Sequence, residues 1–120
     1  MRRMLVVEDE RKIAECLKQY FSTQGFSVSS VFSGEDAIDW LSREAADIVL
    51  IDILLPGISG IETLRRVKQM HPSARIVMVT AHDQGELRQE ACKYGATDYI
   101  TKPLTFSEPT WSSVLATPAY

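Results

Sequence analysis

The sequence has few of the residues that stabilise very small domains by forming disulfides or binding a structural metal ion. It contains two cysteines among 120 residues, and Cys16 and Cys92 lie far apart with no CxxC spacing. This spacing disfavours a zinc site or a redox motif, and two reduced cysteines are typical of a cytoplasmic protein. A domain of this length buries roughly two thirds of its unfolded surface, so it needs no such support.

Long apolar runs and an excess of basic residues are also missing. No hydrophobic run approaches the ~20 residues of a membrane span, and residues 1–3 lead into a strand-like run without a signal-peptide pattern. The 13 Lys and Arg residues against 16 Asp and Glu residues give a net charge of −3, which disfavours direct binding of nucleic acid. We therefore expect a cytoplasmic domain with neither membrane nor nucleic-acid partners.

The chain does contain a regular alternation of short apolar runs and amphipathic segments. Residues 4–7, 48–51 and 76–79 are continuously apolar, which predicts strands covered on both faces. Residues 26–31 alternate with serine and predict an edge strand, and residues 97–101 predict a fifth strand. We therefore expect one α/β domain, a doubly wound five-stranded parallel sheet of order 2-1-3-4-5 with helices on both faces.

Polar residues follow these strands at the edge where parallel sheets bind ligands. They are Glu8 and Asp9 after the first strand, Asp52 at the end of the third, Thr80 at the end of the fourth and Lys102 after the fifth. The predicted order makes strands 1 and 3 neighbours, which brings the carboxylates together. At ~5 Å and an effective dielectric of ~20, each pair repels by roughly 3 kcal/mol, so the cluster needs a cation or protons. Oxygen ligands without His or Cys favour Mg²⁺.

Four segments resemble the receiver domains of two-component response regulators. They are LVVEDE at 5–10, DILLPGISG at 52–60, VMVTA at 77–81 and GATDYITKP at 95–103. The resemblance implies a flavodoxin-like fold and a function in a phosphorelay. It also implies that a sensor histidine kinase is the partner, and that the domain is a phosphoacceptor switch rather than an enzyme.

The resemblance assigns roles in the chemistry at the strand ends. It implies that Asp52 is the phosphoacceptor and that Lys102 contacts the phosphoryl group. It also implies that Glu8, Asp9 and Asp52 bind Mg²⁺ with help from the backbone carbonyl of Leu54. Charge compensation would make a carboxylate a competent nucleophile for phosphoryl transfer, independently of the family.

The resemblance also assigns the residues that pass on the signal. It implies that Thr80 and Tyr99 form a switch pair and that the Lys102–Pro103 peptide bond is cis. Withdrawal of the Thr80 hydroxyl toward a phosphoryl group would open space for the Tyr99 ring to turn inward. We therefore expect the output to be a shift between two populations.

Two other classes of function are weighed against this interpretation. A small Mg²⁺-dependent phosphohydrolase would also form an aspartyl phosphate, but such enzymes usually carry a second acid two residues after the nucleophile, where this chain has Leu54. A flavodoxin-like cofactor carrier would need a phosphate-binding loop after the first strand. There Glu8, Asp9 and Glu10 would repel an anion. The phosphohydrolase is the main alternative.

The chain departs from the receiver pattern after residue 104. We expect residues 1–104 to form the receiver domain and residues 105–120 to form an atypical segment with a short or frayed fifth helix. No output domain follows in this sequence, which fits either a stand-alone receiver or the front piece of a longer regulator.

The expected fifth helix has only a short apolar stripe. It would run from Ser107 to about Thr117, with Trp111, Val114 and Leu115 at i, i+3 and i+4. We therefore expect it to cover the sheet poorly. Either the helix docks weakly and frays, or another chain covers the exposed surface. Because Trp111 offers a large apolar anchor and the fourth helix and fifth strand are adjacent, we expect self-association as a homodimer through this region.

Overall fold

Strands and helices alternate along the whole described part of the chain. The computed structural model describes residues 2–81, 85–104, 106 and 108–115. The strands are β1 (Arg2–Val7), β2 (Phe26–Val31), β3 (Ile48–Asp52), β4 (Arg75–Thr80) and β5 (Asp98–Thr101). The helices are α1 (Arg11–Thr23), α2 (Gly34–Arg43), α3 (Gly60–Met70), α4 (Gly85–Lys93) and α5 (Glu108–Leu115).

The strands form one parallel sheet in the order β2-β1-β3-β4-β5. This confirms the predicted topology. Val7 at the end of β1 pairs with Ile51 near the end of β3. The next residues along the two strands, Glu8 and Asp52, are therefore brought together at the switch point of the sheet.

The burial of the strands follows their apolar patterns. Every residue of β3 is buried, as are the last four residues of β1 and the last five of β4. In β2 only Phe26 is buried, which agrees with its position at the edge of the sheet. Continuous apolar runs thus mark the strands that are covered on both faces.

Helices cover both faces of the sheet, as predicted. The buried side chains on one face come from α1 and α5 and include Leu17, Phe21, Trp111 and Val114. Those on the other face come from α2, α3 and α4 and include Leu41, Leu64, Val67 and Ala91. Burial of each large apolar side chain contributes about 1.5–3 kcal/mol, so these two clusters are the main stabilising feature of the domain.

Serine side chains begin the two helices that follow β2 and β3. The Ser33 hydroxyl accepts a hydrogen bond from the Asp36 N–H at 3.0 Å, and the Ser59 hydroxyl accepts one from the Glu62 N–H at 3.1 Å. Each bond satisfies a donor that the first helical turn leaves unpaired. Helices α2 and α3 therefore begin directly after these serines, at Gly34 and Gly60.

A glycine lets α3 begin directly against the end of β3. The Gly60 N–H donates to the Ile53 carbonyl at 2.8 Å. A Cβ on Gly60 would lie 2.6 Å from the Ile53 Cα and would overlap the carbonyl oxygen of Asp52. Only glycine fits this approach without displacing the backbone that carries Asp52.

The C-terminal helix is better packed than the sequence suggested. Helix α5 spans Glu108–Leu115, and the expected limits at Ser107 and Thr117 lie outside the described residues. Trp111 and Val114 are both 0% exposed. The expectation of a helix that covers the sheet poorly was therefore wrong for these two side chains. The homodimer stays a prediction, but Trp111 is buried within the chain and is not available as its anchor. One large aromatic side chain fills the space that a longer apolar stripe would otherwise fill.

The cysteines and the helix lengths give two further findings. Cys16 on α1 and Cys92 on α4 are both exposed and carry free thiols. Within the described ranges, no helix combines the length and the apolar character that a bilayer crossing requires.

Candidate functional site

Three carboxylates converge at the C-terminal edge of the sheet. Glu8, Asp9 and Asp52 each place a carboxylate oxygen within 4.8 Å of the others; we call these three residues the carboxylate cluster. Glu8 is 2% and Asp52 6% exposed, whereas Asp9 is exposed. The structure thus brings together the acidic residues that the sequence placed after β1 and at the end of β3.

A lysine ammonium lies between the two buried carboxylates. The Nζ of Lys102 is 2.8 Å from Oε1 of Glu8 and 3.0 Å from Oδ2 of Asp52. Glu10 is more distant, with its Oε1 4.0 Å from the same nitrogen. Lys102 follows β5, and its peptide bond to Pro103 is cis. One ammonium cannot neutralise three carboxylates, so the cluster retains an excess of negative charge when all three are ionised.

Backbone donors fix the second oxygen of each buried carboxylate. Oδ1 of Asp52 accepts a hydrogen bond from the Leu54 N–H at 3.1 Å. Oε2 of Glu8 accepts one from the Glu10 N–H at 3.2 Å. Both carboxylates are therefore held in one orientation by a lysine on one side and the backbone on the other.

Burial and the neighbouring charges shift the pKa values of Glu8 and Lys102. Burial raises the pKa of the Glu8 carboxyl from 4.5 to about 7, although the hydrogen bond from Lys102 opposes the increase. For Lys102, burial acts to lower the pKa, but the hydrogen bonds to Glu8 and Asp52 outweigh it and the pKa is raised. The ammonium is therefore charged at neutral pH, and the Glu8 carboxyl has a reduced tendency to ionise.

The donor set fits a hard divalent cation. The cluster offers only carboxylate oxygens, the ligands that Mg²⁺ prefers, and Mg²⁺ typically keeps several waters beside one or two carboxylates. A cavity of about 250 Å³ adjoins it and leaves room for such waters; its walls are Asp9, Glu10, Asp52, Leu54, Thr80, Ala81 and Lys102. The residues present thus match the chemistry of a magnesium site.

The two residues expected to form the switch pair lie on neighbouring strands. Thr80 is fully buried and lines the cavity beside Asp52. Tyr99 is half-buried and pairs in register with Met78, two residues before Thr80. Because side chains alternate along a strand, Thr80 and Tyr99 lie on the same face of the sheet. The structure therefore places a hydroxyl at the cavity and an aromatic ring two register positions away on the neighbouring strand.

An arginine that the sequence did not single out covers this tyrosine. The guanidinium carbon of Arg88, on α4, lies 4.5 Å from the centroid of the Tyr99 ring. Arg88 also donates a long hydrogen bond of 3.4 Å to Oγ1 of Thr101. A single arginine on a polar helix carries no sequence signal, because this contact depends on how α4 packs over β5.

A larger cavity lies at the opposite end of the sheet. Its volume is about 580 Å³, and its lining includes Asp47, His71 and Arg75. Ligands of open α/β sheets bind beyond the carboxyl ends of the strands, and the carboxylate cluster is found there. We therefore assign the functional site to the smaller cavity.

Comparison with known proteins identifies the family. The family model of the response regulator receiver domain matches residues 4–110 of this chain. The chain therefore belongs to the response regulator receiver domain family. Receiver domains are the signal-transduction switches of two-component systems, and sensor histidine kinases phosphorylate them.

Curated relatives include longer regulatory proteins. The transcriptional regulatory protein DltR of Streptococcus agalactiae is 39% identical over 106 residues, which cover 88% of this chain and 47% of that protein. A cyclic di-GMP phosphodiesterase of Thermotoga maritima is 40% identical over 101 residues, which cover 84% of this chain and 27% of that protein. The chain thus spans less than half the length of these relatives.

Solved receiver domains share the fold over almost the whole chain. A CheY-like receiver domain protein from Methanospirillum hungatei gives a TM-score of 0.90 at 26% identity and covers 96% of this chain and 94% of that one. The BeF₃-activated receiver domain of DrrB gives 0.86 at 29% identity and covers 95% and 94%. These similarities agree with the strand order of the sheet.

Proposed function

We propose that Asp52 accepts a phosphoryl group from a sensor histidine kinase in a Mg²⁺-dependent reaction. The observation that carries this proposal is the position of the Lys102 ammonium, 3.0 Å from Asp52 within the carboxylate cluster. A carboxylate held in one orientation and partly compensated in charge is a competent nucleophile. Asp52 is also the cluster member that ends a buried strand and lines the cavity.

The residues around Asp52 suit an in-line transfer from a phosphohistidine. A carboxylate oxygen of Asp52 attacks the phosphorus, the new O–P bond forms, and the P–N bond breaks with its electron pair remaining on the imidazole nitrogen. The Lys102 ammonium can donate hydrogen bonds to the phosphoryl oxygens, and the Thr80 hydroxyl lines the same cavity. Mg²⁺, held by the carboxylate cluster and the Leu54 carbonyl, would supply the remaining positive charge.

Transmission to a distal surface rests on Thr80 and Tyr99. A hydrogen bond from the Thr80 hydroxyl to the phosphoryl group would draw this side chain toward the cavity and leave room beside β5. The Tyr99 ring would then turn inward and away from Arg88, whose guanidinium lies over it in this structure. The signal would be a population shift at the surface formed by α4 and β5.

Titration with beryllium fluoride, with and without Mg²⁺, tests this function. Beryllium fluoride binds a carboxylate and imitates its phosphorylated form, and the DrrB receiver domain has been obtained in such an activated state. We expect saturable changes in the amide NMR spectrum that require both reagents and disappear in Asp52→Asn. Saturation without Mg²⁺, or an unchanged titration in Asp52→Asn, would contradict the proposal.

Magnesium affinity should depend on Asp9 far more than on its neighbour Glu10. Asp9 belongs to the carboxylate cluster, whereas Glu10 is the N-terminal cap position of α1 and lies outside the cluster. Asp9→Ala should weaken Mg²⁺ binding about tenfold or more, which corresponds to about 1.4 kcal/mol. Isothermal titration calorimetry measures this effect, with Glu10→Ala as the matched control. Equal losses in the two variants would show that the cluster is wrongly assigned.

Thr80→Ala should separate phosphorylation from its structural consequence. The variant keeps the Asp52 carboxylate and Lys102 but lacks the hydroxyl that is proposed to follow the phosphoryl group. We expect incorporation of beryllium fluoride to persist while the amide shifts around Tyr99 shrink strongly. Thr80→Ser, which retains the hydroxyl, is the control. A full response around Tyr99 in Thr80→Ala would mean that another residue transmits the change.

A further inference from the structure

A carboxylate from α2 lies over the loop that follows the proposed phosphoacceptor. Oε2 of Glu35 accepts a hydrogen bond from the Ile58 N–H at 3.0 Å. Gly57 has a positive φ of 76°, and a Cβ there would lie 2.6 Å from Oε1 of Glu35. The carboxylate thus occupies the space that the missing side chain of Gly57 leaves open.

This loop, residues 53–59, joins β3 to α3 and carries the Leu54 carbonyl. Its first part is tied to the site by the Leu54 N–H, which donates to Asp52 at 3.1 Å. Its far end is closed by the Gly60 N–H, which donates to the Ile53 carbonyl at 2.8 Å. The bond from Glu35 reaches the segment between these two ties and comes from a different element of the fold.

The start of α2 is built close to this loop. A Cβ on Gly34 would lie 2.7 Å from Cγ1 of Ile58, so glycine permits the approach that brings Glu35 within reach. An acidic side chain in the first turn of a helix interacts favourably with the helix dipole, and α2 has two such residues, Glu35 and Asp36. The dipole therefore explains an acid in this turn, whereas the contact with Ile58 distinguishes Glu35 from its neighbour.

We infer that Glu35 is a positioning residue for the proposed magnesium site. It holds the C-terminal part of the 53–59 loop through Ile58, and the loop in turn orients the Leu54 carbonyl beside Asp52. The contact requires an oxygen acceptor at this position, because the Ile58 N–H donates to it at 3.0 Å. This inference rests on the proposed function, because it concerns the same site.

The test compares Glu35→Ala and Glu35→Gln with Asp36→Ala, which removes the same charge from the same helical turn. Hydrogen exchange of the Ile58 amide, measured without Mg²⁺, reports the loop contact. Calorimetric titration with Mg²⁺ alone reports the site. In Glu35→Ala we expect Ile58 exchange to accelerate and Mg²⁺ affinity to fall about threefold to tenfold. Glu35→Gln, which keeps an oxygen acceptor, should recover most of both, and Asp36→Ala should resemble the unaltered chain.

Each contrary result identifies what has failed. Unchanged Ile58 exchange in Glu35→Ala would overturn the contact, and faster exchange with unchanged Mg²⁺ affinity would overturn the positioning role. An equal loss of affinity in Asp36→Ala would assign the effect to charge alone. Should Glu35→Ala not fold, failure of the folded Glu35→Gln to retain the Ile58 protection and the affinity would overturn the inference. Absence of Mg²⁺ binding in the unaltered chain would instead refute the proposed function, and Ile58 exchange would still show whether Glu35 holds the loop.

Discussion

Replacement of Asp52 by asparagine is expected to abolish phosphoryl incorporation from a small phosphodonor such as acetyl phosphate. The amide of asparagine cannot form an acyl phosphate, and no other cluster member lies both buried and at the cavity wall. In the unaltered chain we expect a Mg²⁺-dependent adduct that is stable in acid and labile in base. Intact-mass spectrometry measures its stoichiometry directly.

The control for this prediction is the same chemical change at an exposed aspartate. Asp39 lies on α2, where it pairs with Arg43 at the surface, so Asp39→Asn should be phosphorylated like the unaltered chain. Modification at full stoichiometry in Asp52→Asn would contradict the assignment of the phosphoacceptor. Peptide mapping of the adduct would then identify the residue that reacts.

The sheet was predictable because burial on both faces leaves a strong sequence pattern. Residues 48–51 and 76–79 are continuously apolar, and they became the buried parts of β3 and β4. The serines of β2 marked the edge strand. Together with the right-handed crossover rule, this edge strand favours the order 2-1-3-4-5, which is common among doubly wound sheets.

The candidate site was predictable only in part. The convergence of Glu8, Asp9 and Asp52 follows from the order of the strands, because their carboxyl ends share one edge. The contacts of Arg88 with Tyr99 and of Glu35 with the 53–59 loop were missed. They join side chains on helices to residues on other elements, and their formation depends on packing that no local pattern encodes.

The packing of the C-terminal helix could not be predicted from the apolar pattern of its own segment. Its apolar stripe was judged from the segment alone, in which Trp111, Val114 and Leu115 form only a short stripe. Burial depends instead on whether large side chains meet complementary ones, and α1 supplies such a partner in Phe21. The Trp111 and Phe21 rings meet edge to face, with centroids 5.1 Å apart. A pattern along one segment contains no information about the partner that completes it.

Replacement of Trp111 by alanine is accordingly expected to lower the free energy of unfolding by about 3–5 kcal/mol. Trp111 is 0% exposed, and besides Phe21 it stacks on Phe106 with centroids 6.4 Å apart. Truncation would remove these contacts and leave a cavity between α5 and the sheet. The free energy of unfolding of a folded domain is typically about 5–15 kcal/mol, so the variant would lose a large part of its stability. Urea denaturation followed by circular dichroism measures the change.

Two companion variants separate the packing of Trp111 from general damage to the helix. Trp111→Phe keeps an aromatic ring in the same place and should lose clearly less stability than Trp111→Ala. Phe106→Ala removes a ring that is 42% exposed, so its effect should also be smaller, because less apolar surface is lost from the interior. A loss of less than about 0.5 kcal/mol in Trp111→Ala would fall in the range of surface substitutions. It would show that α5 does not dock through Trp111 in solution, and the expectation of a helix that covers the sheet poorly would regain its basis.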